Sequence, residues 1–410
     1  MSALPPAPAP PVQRLAPVQI DRPVPGSTRD LDDARDRSPV AETPLLVIDL
    51  RQIRSNAHAI AAAFSGMDPL VYYAVKANPA PEILSTLAAA GCRFDIASLG
   101  EARAALAAGA PAGHLAYTTT IKKAGDIRAA YELGVTLYTA DSPDEIDKIS
   151  AAAPGAWVAI RIAVDNTGAA APFGSKFGCA PEQAADLLRR ATRVGLIPAG
   201  VSCHVGSQQL DVHAWDKPIA AAASIYRAFG GELPMLNLGG GLPATYTDPV
   251  PAVGRYAAAI SQSLDRHFGA SRPHIILEPG RAIAASAGVI HCEVVQVTHR
   301  HGQRWVYLDV GRYGGLAETE GEAIRYPMHA PDVGGPLGPV IVAGPTADGD
   351  DVLYHRYRPE LPLALRAGDR VVIGCTGAYT ASYAAVSFNG LPPLAVRCAF
   401  DSAPVAWSSR

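Results

Sequence analysis

From Val71 onward the chain alternates short apolar runs rich in β-branched and aromatic residues with longer Ala/Leu-rich stretches of helical period. This alternation restricts the fold more than any single motif. Strands are expected at VYYAVK (71–76), RFDIAS (93–98), LAYTT (115–119), TLYTA (136–140), WVAIRI (157–162), AGVSCHVG (199–206), MLNLGGG (235–241) and HIILEPG (274–280). Stretches such as PEILSTLAAAG and PEQAADLLRRATRVG lie between them. Most open near Pro, Asp or Gly and several close at Gly, the chemistry of helix entry and exit. Eight such units over roughly 220 residues predict an α/β fold, a closed (β/α)8 TIM barrel, with an open doubly wound sheet as the alternative.

After about residue 285 the helical rhythm stops. HCEVVQVTHR, RWVYLDV, GPVIVAG, DVLYHRY, RVVIGC, YAAVSF and LAVRCAF follow with turn signals between them, predicting a C-terminal, mainly β domain over 286–410. The barrel is assigned to 43–285. TPLLVIDL (43–50) also reads as a strand and can pair with either part. Residues 1–42 mix proline with both signs of charge and read as a flexible arm.

With 410 residues and 49% hydrophobic content the chain can bury a large core, and a net charge of −3 without a basic run gives no reason to expect nucleic acid or an anionic membrane as partner. No long apolar stretch suggests secretion or membrane spanning. The six cysteines have no CxxC pair and no metal-ligand spacing, which predicts reduced thiols, no metal and a cytoplasmic protein.

Reactive groups of a barrel sit at the carboxyl ends of its strands. The first strand ends in Lys76, costly to bury as a cation; it is either a rim residue or a residue whose charge is consumed in chemistry. Three later strands end in HVGSQ (204–208), GGGLP (239–243) and EPGR (278–281). Backbone amides of glycines with Ser and Arg make a phosphate cradle. An amine, a phosphate cradle and a carboxylate together suit pyridoxal 5'-phosphate, with Glu278 keeping the pyridine nitrogen protonated so that loss of CO2 is favoured.

YAVKAN, FDIAS, HVGSQ, GGGLP, EPGR, GPTADGDD and GAYT occur in this order from about Thr43 to Phe400. In this the chain resembles the pyridoxal-phosphate decarboxylases of alanine-racemase-like fold, which act on ornithine, lysine, arginine or diaminopimelate. The resemblance implies that Lys76 forms the imine with the cofactor and that Asp95 lies near it, with Glu101 and Arg161 at further active-site positions. It implies that His204 stacks on the pyridine face and Glu278 pairs with the pyridine nitrogen. Ser207, Gly240, Gly241, Gly280, Arg281 and Tyr379 would hold the phosphate.

The resemblance further implies a homodimer with active sites at the interface, where the GPTADGDD loop of one subunit completes the barrel of the other and Asp348 reaches the distal ammonium of a small amino-acid substrate. GGLAETEGEAIRYP (314–327) resembles the bacterial ornithine and lysine branch and places Glu322 as a second carboxylate for that amine. Lys76, His204, Glu278 and Asp348 are the expected catalytic residues, and Glu322 with Asp348 the substrate-binding ones. The expected activity is conversion of L-ornithine or L-lysine to a diamine and CO2, as in polyamine biosynthesis.

One position departs from the pattern. Ala347 stands where the family usually has the cysteine that reprotonates the α-carbon, and a methyl group donates no proton. A specialised decarboxylase of secondary metabolism, or decarboxylation-dependent transamination, is therefore an alternative, with Cys375 a conceivable substitute donor. A non-catalytic regulator resembling antizyme inhibitor is a further one, against which the retained Lys76, His204, Glu278, Arg281 and Tyr379 argue. Within the family diaminopimelate decarboxylase is the nearest rival, but its acidic CES-type loop is absent.

Overall fold

In the computed structural model, which describes residues 42–400, the chain begins with β1 (Leu45–Asp49), followed at once by the helix Leu50–Ala63. The Asp49 carboxylate caps that helix by accepting from the Arg51 and Gln52 N–H groups. Next come β2 (Leu70–Ala74), β3 (Arg93–Ile96), β4 (Leu115–Tyr117), β5 (Leu137–Ala140) and β6 (Trp157–Arg161). A short strand, β7 (Ala169–Ala171), precedes β8 (Ile197–Ser202) and pairs with β9 (Ser207–Gln209). The run ends with β10 (Met235–Asn237) and β11 (His274–Leu277).

Strands β2 to β6, β8, β10 and β11 pair in parallel, and β11 returns to β2, so the eight form a closed barrel. Each of the eight expected strands is present. Most stop a few residues earlier than the sequence pattern, because the following residues leave the ladder to build the mouth. After β2, for example, Val75–Ala77 forms a 3-10 turn that carries Lys76.

The helices between the strands start as their sequences dictate. Pro81, Pro143 and Pro181 occupy first-turn positions, where a missing N–H costs nothing. Ser98 and Ser142 cap theirs by accepting from the Glu101 and Glu145 N–H groups. Inside the barrel Tyr72, Ala116, Leu137, Ala159, Ala199, Met235 and Ile276 form a separate cluster, one residue from each of seven strands. That is the filled layer expected of a packed barrel with its chemistry at one end.

The second unit is built on β12 (Gly288–Arg300), which pairs antiparallel with β1, β13 (Gln303–Leu308) and, beyond β14 (Met328–His329), β15 (Leu337–Pro339), β16 (Ile341–Ala343) and β17 (Glu360–Pro362), with β18 (Arg370–Gly374). β19 (Ala395–Ala399) lies parallel to β1, so the segment 43–50 belongs to this sheet and not to the barrel. Two expected strands are absent. Residues 351–357 make one isolated bridge, Ala343 to Val352, and their later N–H groups go to a carboxylate described below. Residues 383–388 break into short turns because Ser387 and Asn389 take positive φ of 62° and 52°. The arm expected at 1–42 lies outside the described residues except for Glu42.

Among the described residues no helix is long and apolar enough to cross a membrane, and no group of side chains has the makings of a metal site. All six cysteines are free thiols.

Candidate active site

The carboxyl ends of the barrel strands converge on Lys76. Its Nζ lies 2.8 Å from Asp95 Oδ2 on β3, and the other Asp95 oxygen accepts from the Thr118 hydroxyl. Burial opposes the Lys76 ammonium, but Asp95, Tyr379 and Glu278 outweigh it and raise the pKa above the ordinary lysine range. Glu101 accepts from the Ala97 N–H at 2.6 Å, and its carboxyl is pushed up to about 7, chiefly by burial and further by Asp95.

Glu278 follows β11 and is buried. Its Oε1 accepts from Asn237 Nδ2 at 2.5 Å, and burial, aided by Asp95, raises its pKa. The His204 Nδ1 accepts from the Gly206 N–H at 3.1 Å, which leaves the proton of a neutral ring on Nε2. Burial, then Arg161 and Lys76, hold its pKa well below the usual imidazole value, so His204 presents an uncharged face. Phe173 meets it edge-on with ring centres 4.5 Å apart, and Arg161 stacks over Phe173 and Phe177.

A cavity of about 200 Å³ is lined by Lys76, Arg161, Phe173, Phe177, His204 and Glu278. A recess bounded by Ser207, Gly240, Gly241, Gly280, Arg281 and Tyr379 adjoins it through Lys76, Phe173, His204 and Glu278. The glycines are required for shape. A Cβ on Gly240 would lie 2.6 Å from the Glu278 carbonyl oxygen and 3.0 Å from His204 Nε2. One on Gly280 would lie 2.9 Å from the Ala77 Cβ and 3.2 Å from the Tyr379 hydroxyl. Backbone, two hydroxyls and a guanidinium thus line one end of the pocket, and an amine and a buried carboxylate the other.

Residues 50–285 match the family described as pyridoxal-dependent decarboxylase, pyridoxal binding domain. The chain belongs to this decarboxylase family. The lysine/ornithine decarboxylase of Selenomonas ruminantium is 35% identical over 353 residues, covering 85% of this chain and 87% of that protein. The diaminopimelate decarboxylase of Actinosynnema pretiosum is 31% identical over 372 residues, covering 86% and 83%. Among solved structures, lysine/ornithine decarboxylase from Vibrio vulnificus, complexed with putrescine, has a TM-score of 0.78 and 31% identity over 87% of this chain and 94% of that one. The protein is therefore a pyridoxal-phosphate-dependent amino-acid decarboxylase. The residues of the pocket fit that cofactor: an accessible amine, a carboxylate of raised pKa, a neutral imidazole face and a glycine-walled anion recess.

Of the residues expected from sequence, the decarboxylase pocket brings together Lys76, Arg161, His204, Ser207, Gly240, Gly241, Glu278, Gly280, Arg281 and Tyr379 in its lining, with Asp95 bonded to Lys76 and Glu101 to the Ala97 N–H behind it. Two it does not. Asp348 is exposed on the 345–351 loop and lines neither part of this chain's own pocket; its carboxylate accepts from the Asp350 N–H and is hydrogen-bonded with Tyr313. Glu322, the other expected substrate carboxylate, likewise lines neither part of this chain's own pocket. Its Oε1 accepts the backbone N–H groups of His355, Arg356 and Tyr357 at 3.1, 2.5 and 3.3 Å, and Oε2 lies 3.5 Å from Arg325 and 3.7 Å from Arg356. Oε1 thus holds the 355–357 backbone in place, while the buried Oε2 accepts no hydrogen bond. Cys375 donates to the Thr245 carbonyl at 3.2 Å, with burial pushing its thiol up to about 11.

Sequence reasoning missed Asn237, Thr118, Phe173 and Glu318. Asn237 is the last residue of β10, a position the strand-end rule could have flagged. Glu318 sits in the acidic run already noted, but nothing in its spacing says that it meets Arg281.

Proposed function

We propose that the substrate is L-ornithine or L-lysine and the products the corresponding diamine and CO2. The meeting of Lys76 with buried Glu278 beside the glycine-walled recess carries the reading. Bound pyridoxal phosphate supplies an aldehyde for an amine and a ring that accepts the electron pair left as CO2 departs. Lys76 provides that amine at Nζ, held by Asp95. Glu278, whose burial favours protonation, shares a proton with the pyridine nitrogen, and Asn237 fixes its orientation. His204, kept neutral, would offer its uncharged face to the ring without competing for charge. Ser207, Tyr379 and the backbone at Gly240, Gly241 and Gly280 bind the phosphate.

The 345–351 loop completes the pocket of a second subunit in a homodimer, where Asp348 meets the distal ammonium of the diamino acid. Support comes from the exposed Asp348 carboxylate beside Tyr313 and from apolar side chains left open nearby: Val386 is 76% and Tyr383 51% exposed. The free thiols suit a reducing, cytoplasmic setting, and diamine formation suits polyamine synthesis. Ala347, exposed and without a proton to give, favours a second reading in which part of the turnover ends as aldehyde. Incubation with ornithine, lysine, arginine and diaminopimelate, with amines and aldehydes both identified, tests these points. Loss of CO2 from diaminopimelate alone overturns the substrate assignment, and a Lys76→Ala chain that retains the imine absorbance overturns the role of Lys76.

A further inference from the structure

We infer that Lys122, which lines neither part of the pocket, is a positioning residue for Lys76: through the Thr119 carbonyl, Thr118 and Asp95 it holds the amine in place. The inference rests on reading Lys76 as the amine that takes the cofactor. β4 ends at Tyr117, yet the next two residues, Thr118 and Thr119, build part of the cavity wall. The Thr118 N–H still reaches the Ile96 carbonyl at 3.1 Å, and its hydroxyl donates to Asp95, whose other oxygen holds Lys76 Nζ at 2.8 Å. One residue further on, the Thr119 carbonyl accepts from Lys122 Nζ at 2.7 Å.

The ammonium that does this is placed at a cost. The Lys122 side chain is fully buried, and burial pulls its pKa down to about 8 although Glu145 opposes the fall. Nζ also donates to the Thr139 carbonyl at 2.7 Å, so one cation joins β4 and β5 beyond Tyr117 and Tyr138, their last backbone pair. Glu145 Oε1 lies 2.9 Å from it. Lys148, one turn along the same helix, closes the assembly: its Nζ lies 2.5 Å from Glu145 Oε2 and donates to the Lys122 carbonyl at 2.6 Å. Buried ion pairs contribute little stability over apolar packing. What this one supplies, and packing could not, is N–H donors for two strand-end carbonyls, one of them adjoining Thr118.

Labelling of Lys76 by acetic anhydride in the full-length, cofactor-free chain reads the hold, because an amine released from the Asp95 carboxylate reacts faster. Peptide mass spectrometry gives its rate against exposed Lys217 as internal reference. Removal of the buried charges together, Lys122→Met with Glu145→Gln, should speed Lys76 labelling about tenfold, the equivalent of one unit of amine pKa. In an Asp95→Asn background the same two changes should alter it less than about twofold. Equal increases in both backgrounds would mean that the pocket has merely opened, and an unchanged rate with Asp95 present would mean that Lys122 is not coupled to the amine; either overturns the inference. If the double variant does not fold, Lys148→Met takes its place, since it loosens the same assembly from a partly exposed position; about a threefold rise is expected with the same dependence on Asp95, and no rise overturns the inference. Borohydride reduction of the wild-type chain with pyridoxal phosphate, were it to leave Lys76 unmodified, would instead sink the reading of Lys76 beneath it.

Discussion

The backbone N–H of Tyr379 donates to the carbonyl oxygen of Ala77 at 2.8 Å, so the sheet unit is tied to the barrel one residue from Lys76. A second tie lies beside it: Asn78 Nδ2 donates to the Gly377 carbonyl at 2.9 Å. Amine and phenol therefore keep a fixed separation although they come from different units. Tyr379 adopts φ of 56° to make this contact, a conformation costly for a side-chain-bearing residue and held by its surroundings.

Asn78 is buried, so Asn78→Ala should leave the Gly377 carbonyl without its partner and cost roughly 1–3 kcal/mol. Because the lost bond joins the two units at the cofactor recess, cofactor affinity should fall together with stability. Urea unfolding and cofactor titration check this, and a stability loss with unaltered affinity would show that the tie does not control the recess.

Glu101 predicts a pH dependence. Its folded-state pKa is raised to about 7 from 4.5, so the folded chain holds this proton more tightly than the unfolded one. Stability from this group is present in full below pH 4.5 and is lost as pH rises through 7. Glu101→Gln, which can still accept from the Ala97 N–H, should therefore stabilise the chain more at pH 8 than at pH 5. Unfolding midpoints at the two values decide it; equal gains would place the ionisation elsewhere.

The barrel was legible in the sequence because strands such as Val71–Lys76 and His274–Gly280 are apolar on both faces and bounded by glycine and proline. Residues at their ends could be picked out for the same reason. Legibility failed where side chains, not periodicity, decide the backbone. Residues 351–357 have strand-like composition, yet the Glu322 carboxylate takes three of their N–H groups and bends them into a turn. No local pattern announces that a residue some thirty positions earlier will do this. The Arg281–Glu318 pair was invisible for a like reason, as a contact between a barrel loop and an irregular segment of the sheet unit.

Glu322→Gln should consequently act on stability more than on substrate affinity. The amide keeps one acceptor for the 355–357 backbone but gives up the charge near Arg325 and Arg356, a loss of about 1–3 kcal/mol for hydrogen bonds to a charged group. Urea unfolding should reveal it while KM for ornithine or lysine moves less than about threefold, under 1 kcal/mol of binding. A tenfold rise in KM at undiminished stability would make Glu322 a substrate ligand.

Ala347 governs product fate if nothing else on the loop supplies a proton. Its N–H is held by Asn389 Oδ1 at 2.7 Å, so a side chain introduced there starts from an anchored backbone. Cys375 is a poor substitute, since its thiol is raised to about 11 and already donates to Thr245. Ala347→Cys should raise the amine share of product at the expense of aldehyde. Mass spectrometry of both products measures it, and an unchanged ratio would show that another donor is already in place.

The separation of Asp348 from this chain's own pocket leads to a mixing experiment. Lys76→Ala and Asp348→Ala chains are each expected to be nearly inactive. If Asp348 completes the partner's pocket, a mixed dimer of the two variants carries both lesions in one site and neither in the other. Random reassociation of equal amounts makes half the dimers mixed, each with one intact site, so about a quarter of wild-type activity should return. Were Asp348 to act within its own subunit, every site in the mixture would still carry a lesion and no activity would return. Activity after mixing thus reports directly whether the loop serves its own barrel or a neighbour's.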